Sequence, residues 1–196
     1  MVHSPATGGG RRRHLRVRRA LLLFVVSACG DSHVVSGFDS PMGVNGQFRR
    51  HGHSGVDFKG DDGDPVLAAA YGHVEAVRTN EVAGTCVLLK HECRGCAMET
   101  FFTSYCHLQR SLVTAGQLVV RGQQIAELGH SGRGAVGVSH VHFSMCTYAC
   151  ATGTGDGDLH GMLDPAPYDA GCFIHSKVYA VIDRPVLTHP IRCSGD

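Results

Sequence analysis

Five side chains of this sequence could assemble a hydrolytic metal centre: His53, Asp57, His107, His140 and His142. In His140-Val141-His142-Phe143 an imidazole alternates with an apolar side chain. Successive side chains of a strand point to opposite faces, so His140 and His142 project together while Val141 and Phe143 face a core. His53 and Asp57 are four residues apart with Gly55 between them, and an extended segment again puts both on one face. Zinc takes N and O donors, is usually tetrahedral, and in catalytic sites keeps three protein ligands and one open position. His53, Asp57 and His142 meet that requirement. The ion lowers the pKa of a water in the open position towards neutral, which suits attack on a peptide carbonyl. His107 and His140 are left for proton transfer and for stabilising the developing oxyanion. Taken alone, any one of the 14 histidines reads more simply as a surface or structural residue. Asp61, Asp62 and Asp64 read as a solvated turn, with a calcium site as the lesser alternative.

These residues need strands to hold them. Short apolar runs separated by turn residues recur along the chain: Val56-Asp57-Phe58, Val66 to Ala70, Val74 to Val77, Cys86 to Leu89, Thr100 to Leu108, Leu118 to Val120, Ile125-Ala126 and His140 to Met145. Runs of this length and spacing predict an all-β or mostly β domain, and no window of helical length holds a clean 3.6-residue apolar period. Residues 32–52 are polar, Gly-rich and contain Pro41, so they read as an irregular lead-in. At 196 residues the chain suits one domain with short additions and can bury a core without staples.

The first 28 residues read as an address. Six of the 18 Lys and Arg lie in the first 19 residues, and no acidic residue precedes Asp31. The apolar run from Ala20 to Ala28 is too short to span a bilayer as a helix, and with its basic flank it fits a secretory signal peptide. Val26-Ser27-Ala28-Cys29 resembles a lipobox, in which Cys29 would carry a lipid and tether the protein to a membrane face. The alternative is simple cleavage after Ala28. Without the basic leader, 12 basic residues face 17 acidic ones, a balance that argues against a nucleic-acid binder.

Nine cysteines is an odd number for an exported chain, and lipidation of Cys29 leaves an even eight. Export favours four disulfides, with Cys146–Cys150 one plausible local pair. A structural zinc site around Cys93-x-x-Cys96 with Cys86 and Cys106, or a redox role for that motif, stays open as the lesser reading.

The motifs in order resemble the lysostaphin-like (LytM-type) zinc metalloendopeptidases, which cut peptidoglycan cross-links. His53-Ser54-Gly55-Val56-Asp57-Phe58 matches the family's H-x-G-x-D-F. Pro65 to Ala69, Gly72-His73-Val74, Tyr105-Cys106-His107-Leu108, the run Gly116 to Gly129, Ser139-His140-Val141-His142-Phe143 and Asp164-Pro165 through Tyr168 follow in the family's order and spacing. The resemblance runs from about Phe38 to Tyr168. It implies a mainly antiparallel β-sheet with a narrow, loop-walled groove (the duplicated hybrid motif). It assigns His53, Asp57 and His142 to zinc, His107 and His140 to catalysis, and Asn45 and Tyr105 to substrate. The expected layout is a signal over 1–28, a linker over 29–37, a metallopeptidase domain over 38–170, and a tail over 171–196 tethered by a disulfide.

This sequence departs from the family's usual pattern in carrying Ser139 before the closing His-x-His, in Gly84-Thr85-Cys86, and in the cysteine-bearing insertion Glu92 to Glu99. These changes touch the groove walls and no ligand. The expected protein is a monomeric, exported enzyme of the cell envelope acting on peptidoglycan peptides. The competing readings are a non-catalytic binding or activator module of the same fold, and a zinc protease acting on proteins. D-Ala-D-Ala carboxypeptidases fit less well: they have a longer gap between first His and Asp, and a Glu shortly before the last His-x-His, where this chain has no carboxylate between Glu127 and His142.

Overall fold

The structure is a computed structural model. It describes Met1 and residues 33–148, 150, 159–181 and 183–193. The expected signal peptide and Cys29 lie outside the described residues. Eleven strands follow one another: β1 (Val34–Ser36), β2 (Val56–Lys59), β3 (Pro65–Leu67), β4 (Gly72–Asn80), β5 (Gly84–Glu92), β6 (Thr100–Leu108), β7 (Arg110–Ser111), β8 (Leu118–Val119), β9 (Gln124–Glu127), β10 (His140–Cys146) and β11 (Met162–Leu163). The larger sheet has the order β1-β2-β10-β6-β5-β4-β8, with β11 pairing β10, and the smaller one is β3-β9-β7. Among the described residues every strand pair is antiparallel. The mainly β, antiparallel architecture matches the expectation.

Alternation explains which face goes where. Phe58, Val74, Val87, Leu89, Tyr105, Val141, Phe143 and Met145 are buried and join one core. Ile125, Ala126 and Leu128, in and just after the small sheet's β9, close that core from the other side. Each fully buried aliphatic or aromatic side chain contributes about 1.5–3 kcal/mol. The opposite face of β2, β6 and β10 carries Asp57, Ser104, His140, His142 and Ser144, beside two small apolar clusters around Cys106 and Cys146.

Three short strands were not legible in the sequence. β1 falls in the stretch read as a linker, and β7 and β11 are two residues each. Such strands depend on neighbours already in place more than on their own propensity. The tail also differs from expectation. Cys172 bonds Cys193, so that disulfide closes the tail on itself and does not tie it to the body. The attachment is made by packing and backbone pairing instead. Leu187 and Ile191 enter the core. The Leu67 N–H donates to the Pro190 carbonyl at 2.7 Å, and the Thr188 N–H to the Ala69 carbonyl at 3.0 Å. The other disulfides are Cys86–Cys106, Cys93–Cys96 and the anticipated Cys146–Cys150. Among the described residues no helix is long and apolar enough to cross a membrane.

Candidate active site

The site forms where β2, β10 and β6 lie side by side. Register sets Asp57 opposite His142, and His142 opposite Cys106. His140, His142 and Ser144 share one face of β10, while Val141, Phe143 and Met145 are buried on the other. Asp57 sits on the same side of β2, with its neighbour Phe58 in the core. His53 comes from the loop just before β2. Gly55 makes this approach possible: a Cβ there would lie 2.3 Å from the Phe143 carbonyl oxygen.

Three atoms converge. His53 Nε2 is 3.1 Å from Asp57 Oδ1, His142 Nδ1 is 3.0 Å from the same oxygen, and the two nitrogens are 2.9 Å apart. A tetrahedral zinc with ligands at ~2.0–2.1 Å requires ligand atoms roughly 3.3 Å from one another. The triangle is therefore close to the right size, and its donors are of the types zinc prefers. His53, Asp57 and His142 are one of two groups of described residues that could hold a metal ion; the other is Cys172, His189 and Cys193. The sulfurs of that second group are joined in the tail disulfide.

Backbone carbonyls set the imidazole tautomers. His53 Nδ1 donates to the Gly37 carbonyl at 2.9 Å, His107 Nδ1 to Ser131 at 2.9 Å, and His140 Nδ1 to Val138 at 2.8 Å. Each donation puts the proton on Nδ1 and leaves Nε2 with a bare lone pair. His142 is held the other way round, with Nε2 2.8 Å from Ser144 Oγ and Nδ1 at the triangle. Partners of this kind orient metal-binding imidazoles.

The electrostatics agree with this arrangement. Burial pushes the Asp57 carboxyl up, but the imidazoles of His142 and His53 against its Oδ1 outweigh it and hold the group well below the ordinary carboxylate value. Burial lowers His142 and His140. It also pushes His107 down to about 3, with help from the charges of His142 and His140. Neutral imidazoles beside an ionised carboxylate are what metal ligation and proton acceptance both need.

His107 reaches the site by breaking the strand's alternation. Tyr105 and His107 are two apart and should share a face. Tyr105 is fully buried, its Oη accepting from the Ala69 N–H at 2.8 Å. His107 has φ 63°, in the left-handed region, and its ring centroid lies 4.8 Å from that of His140. The β5–β6 register slips here: Thr85 pairs Leu108 and Val87 pairs Tyr105, so Cys106 and His107 together oppose Cys86. This is a β-bulge, a device that re-aims a side chain. Tyr105, expected at the substrate, is thus a core residue, because it keeps the parity that the bulge lets His107 escape.

A groove of about 690 Å³ runs over the site. Val82, Ala83, Gly134 and Val136 line one wall, and residues 43–45 and 47–50 the other. Asn45 lies in that second wall, and its Oδ1 accepts from the Gln47 N–H at 3.0 Å, bracing the turn at the lip. Sequence reasoning passed over Arg49, which donates to Asp57 Oδ2 at 3.0 Å. The signal available was its place, four residues before His53.

The profile of Peptidase family M23 matches residues 51–153. Peptidoglycan DD-endopeptidase ShyC of Vibrio cholerae is 38% identical over 100 residues, covering 51% of this chain and 21% of that protein. The lipoprotein NlpD/LppB homolog of Pseudomonas aeruginosa is 37% identical over 103 residues, covering 51% of this chain and 32% of that protein. The chain thus spans a fifth to a third of the length of these curated relatives. The catalytic domain of lysostaphin from Staphylococcus simulans has a TM-score of 0.51 at 25% identity, over 68% of this chain and 87% of that domain. The profile match takes in more than half of the sequence and every strand that carries the site, and on that ground this chain belongs to peptidase family M23.

Proposed function

We propose that this protein is a zinc-dependent endopeptidase that hydrolyses the peptide cross-links of peptidoglycan outside the cytoplasm. The single observation that carries the reading is the triangle of His53 Nε2, Asp57 Oδ1 and His142 Nδ1, with edges of 2.9–3.1 Å. His53, Asp57 and His142 would hold the ion. When bound, zinc supplies a Lewis acid that polarises a peptide carbonyl and makes water acidic enough to attack it. The chain's own residues do the rest. The groove seats an extended peptide between the lip hairpin and the wall made by Val82, Ala83, Gly134 and Val136. His140, whose Nε2 lies 3.7 Å from Asp57 Oδ1, faces the reacting centre with a free lone pair and can take a proton from water. His107 stands beside it, neutral and held by the Ser131 carbonyl, ready to exchange a proton or steady the oxyanion.

Peptidoglycan as substrate is supported by the named activity of the Vibrio relative and by the reading of residues 1–28 as an export signal. Lipidation of Cys29 belongs to the same proposal. The four disulfides occupy the other eight cysteines, which fits the parity argument. The test is mass spectrometry of peptidoglycan digests, with and without a chelator, using wild type and His142→Ala. Wild type with zinc should release cross-link fragments, and chelation or His142→Ala should abolish them. Equal digestion by His142→Ala would sink the proposal. A wild type that neither binds zinc nor digests would favour a binding module of the same fold.

A further inference from the structure

Both oxygens of Asp57 are held, by different partners. Oδ1 faces the two imidazoles, while Oδ2 accepts from Arg49 Nη2 at 3.0 Å. The Asp57 side chain is 1% exposed and that of Arg49 is 26% exposed, so the guanidinium reaches inward from the groove rim. Arg49 Nη1 donates to Ser36 Oγ at 2.8 Å and to the Met42 carbonyl at 3.0 Å. Ser36 Oγ is in turn 3.3 Å from His53 Nδ1. Met42 bridges Phe48 at the base of the hairpin that forms the lip. A single side chain therefore joins the buried carboxylate, strand β1 and the lip of the groove.

We propose that Arg49 is a positioning residue that keeps Asp57 a one-oxygen ligand, an inference that rests on the zinc reading above. A carboxylate can offer a metal either one oxygen or both. If both bind, the coordination position needed by water or a carbonyl is taken. Oδ2 engaged by Arg49 is committed elsewhere and leaves Oδ1 alone at the triangle. Arginine suits the task because its charge is permanent and its planar fork serves three acceptors at once. A lysine ammonium on a flexible stem would keep the charge but not the fork. Removing groups that orient metal ligands typically weakens metal binding by about 10–100-fold.

The experiment compares wild type, Arg49→Gln, Arg49→Lys and His142→Ala by three readouts: zinc affinity by competition with a chromophoric chelator, the visible spectrum of the cobalt-substituted protein, and the melting temperature of the metal-free protein. Arg49→Gln should bind zinc about 10–100-fold more weakly and shift the cobalt spectrum from four-coordinate towards the weaker five-coordinate form. Its metal-free melting temperature should stay within a few degrees of wild type, which separates positioning from simple folding. Arg49→Gln with wild-type affinity and an unchanged spectrum would overturn the proposal. Should Arg49→Gln not fold, Arg49→Lys decides by the same readouts, and wild-type behaviour there overturns it equally. Zinc binding in His142→Ala at the wild-type level, or none in wild type, would overturn the zinc reading itself and this inference with it.

Discussion

Replacing Gly55 by alanine tests whether the site depends on the closeness of two strands. Gly55 has no need of an unusual backbone angle; what it supplies is room. An added Cβ would lie 2.3 Å from the Phe143 carbonyl oxygen, 2.8 Å from Ser144 Oγ and 2.9 Å from the Phe143 carbonyl carbon. Two of these three atoms are backbone of β10, so no rotamer change relieves the clash. Ordinary contact begins near 3.4 Å, and the loop must retreat by about 1 Å. That retreat separates His53 and Asp57 from His142, because Val56 pairs Phe143 and Asp57 pairs His142 across the same gap. Misplacing a reacting group by about 1 Å costs on the order of 10²-fold in rate. Crowding at a packed position also costs ~1–3 kcal/mol, or roughly 3–10 °C in melting temperature for a chain of this size. Fragment release from peptidoglycan at saturating zinc, followed beside a thermal melt, measures both. A Gly55→Ala protein with wild-type rate and wild-type melting would refute the claim that this glycine sets the strand spacing.

Two further outcomes follow from the same geometry. His107→Gln should retain one zinc per chain and lose about 10²–10⁴-fold in hydrolysis, since His107 stands outside the ligand triangle but beside His140; metal analysis and initial rates check it, and unchanged rates would remove His107 from the mechanism. His91 is buried between the Tyr71 carbonyl and Thr103 Oγ1, and burial pushes it from 6.5 down to about 4. Its neutral form contributes stability in full above pH 6.5, which is lost as pH falls to 4 while the unfolded chain takes up a proton that the folded chain refuses, roughly 3 kcal/mol in all. Urea unfolding at pH 7 and pH 4 should show His91→Gln lacking that share of the acid loss, and identical pH dependence in the two proteins would contradict it.

How legible the site was in the sequence depended on how local its geometry is. His140 and His142 could be paired by strand parity alone, and β10 obeys that parity along its length. His53 could be chosen over His51 because the x-Gly-x spacing to Asp57 carries a steric meaning, which the Cβ distances at Gly55 make explicit. Arg49 was missed because its importance lies in where Nη2 ends, eight residues away at Asp57 Oδ2, and nothing in residue type reveals that. The tail disulfide was misread for a related reason. Cysteine count predicts pairing but not connectivity, and the tail is held by Leu187 and Ile191 entering a core that a reader of the sequence cannot yet see.

His107 is the most instructive case, because its residue type and the resemblance both single it out while strand parity alone would have excluded it. Parity sends it to the core beside Tyr105. The structure avoids that by placing two residues, Cys106 and His107, opposite Cys86 and by accepting φ 63° at His107. A left-handed non-glycine residue costs on the order of 1–2 kcal/mol. The surroundings offset that cost with directed contacts. The His107 N–H donates to the Ala83 carbonyl at 3.0 Å, Nδ1 donates to the Ser131 carbonyl, and the Ser131 N–H donates to the His107 carbonyl at 3.2 Å. The Cys86–Cys106 disulfide crosses the bulge itself, bonding the residue before His107 to the strand it slips against. Gly84 and Gly132 hold the Ser131 loop against this bulge, for a Cβ on Gly84 would meet Ser131 at 2.2 Å and one on Gly132 would meet the Gly84 nitrogen at 2.3 Å. The chain's unusual Gly84-Thr85-Cys86 is therefore part of the support beneath the one site histidine that must leave its strand's pattern to stand beside His140.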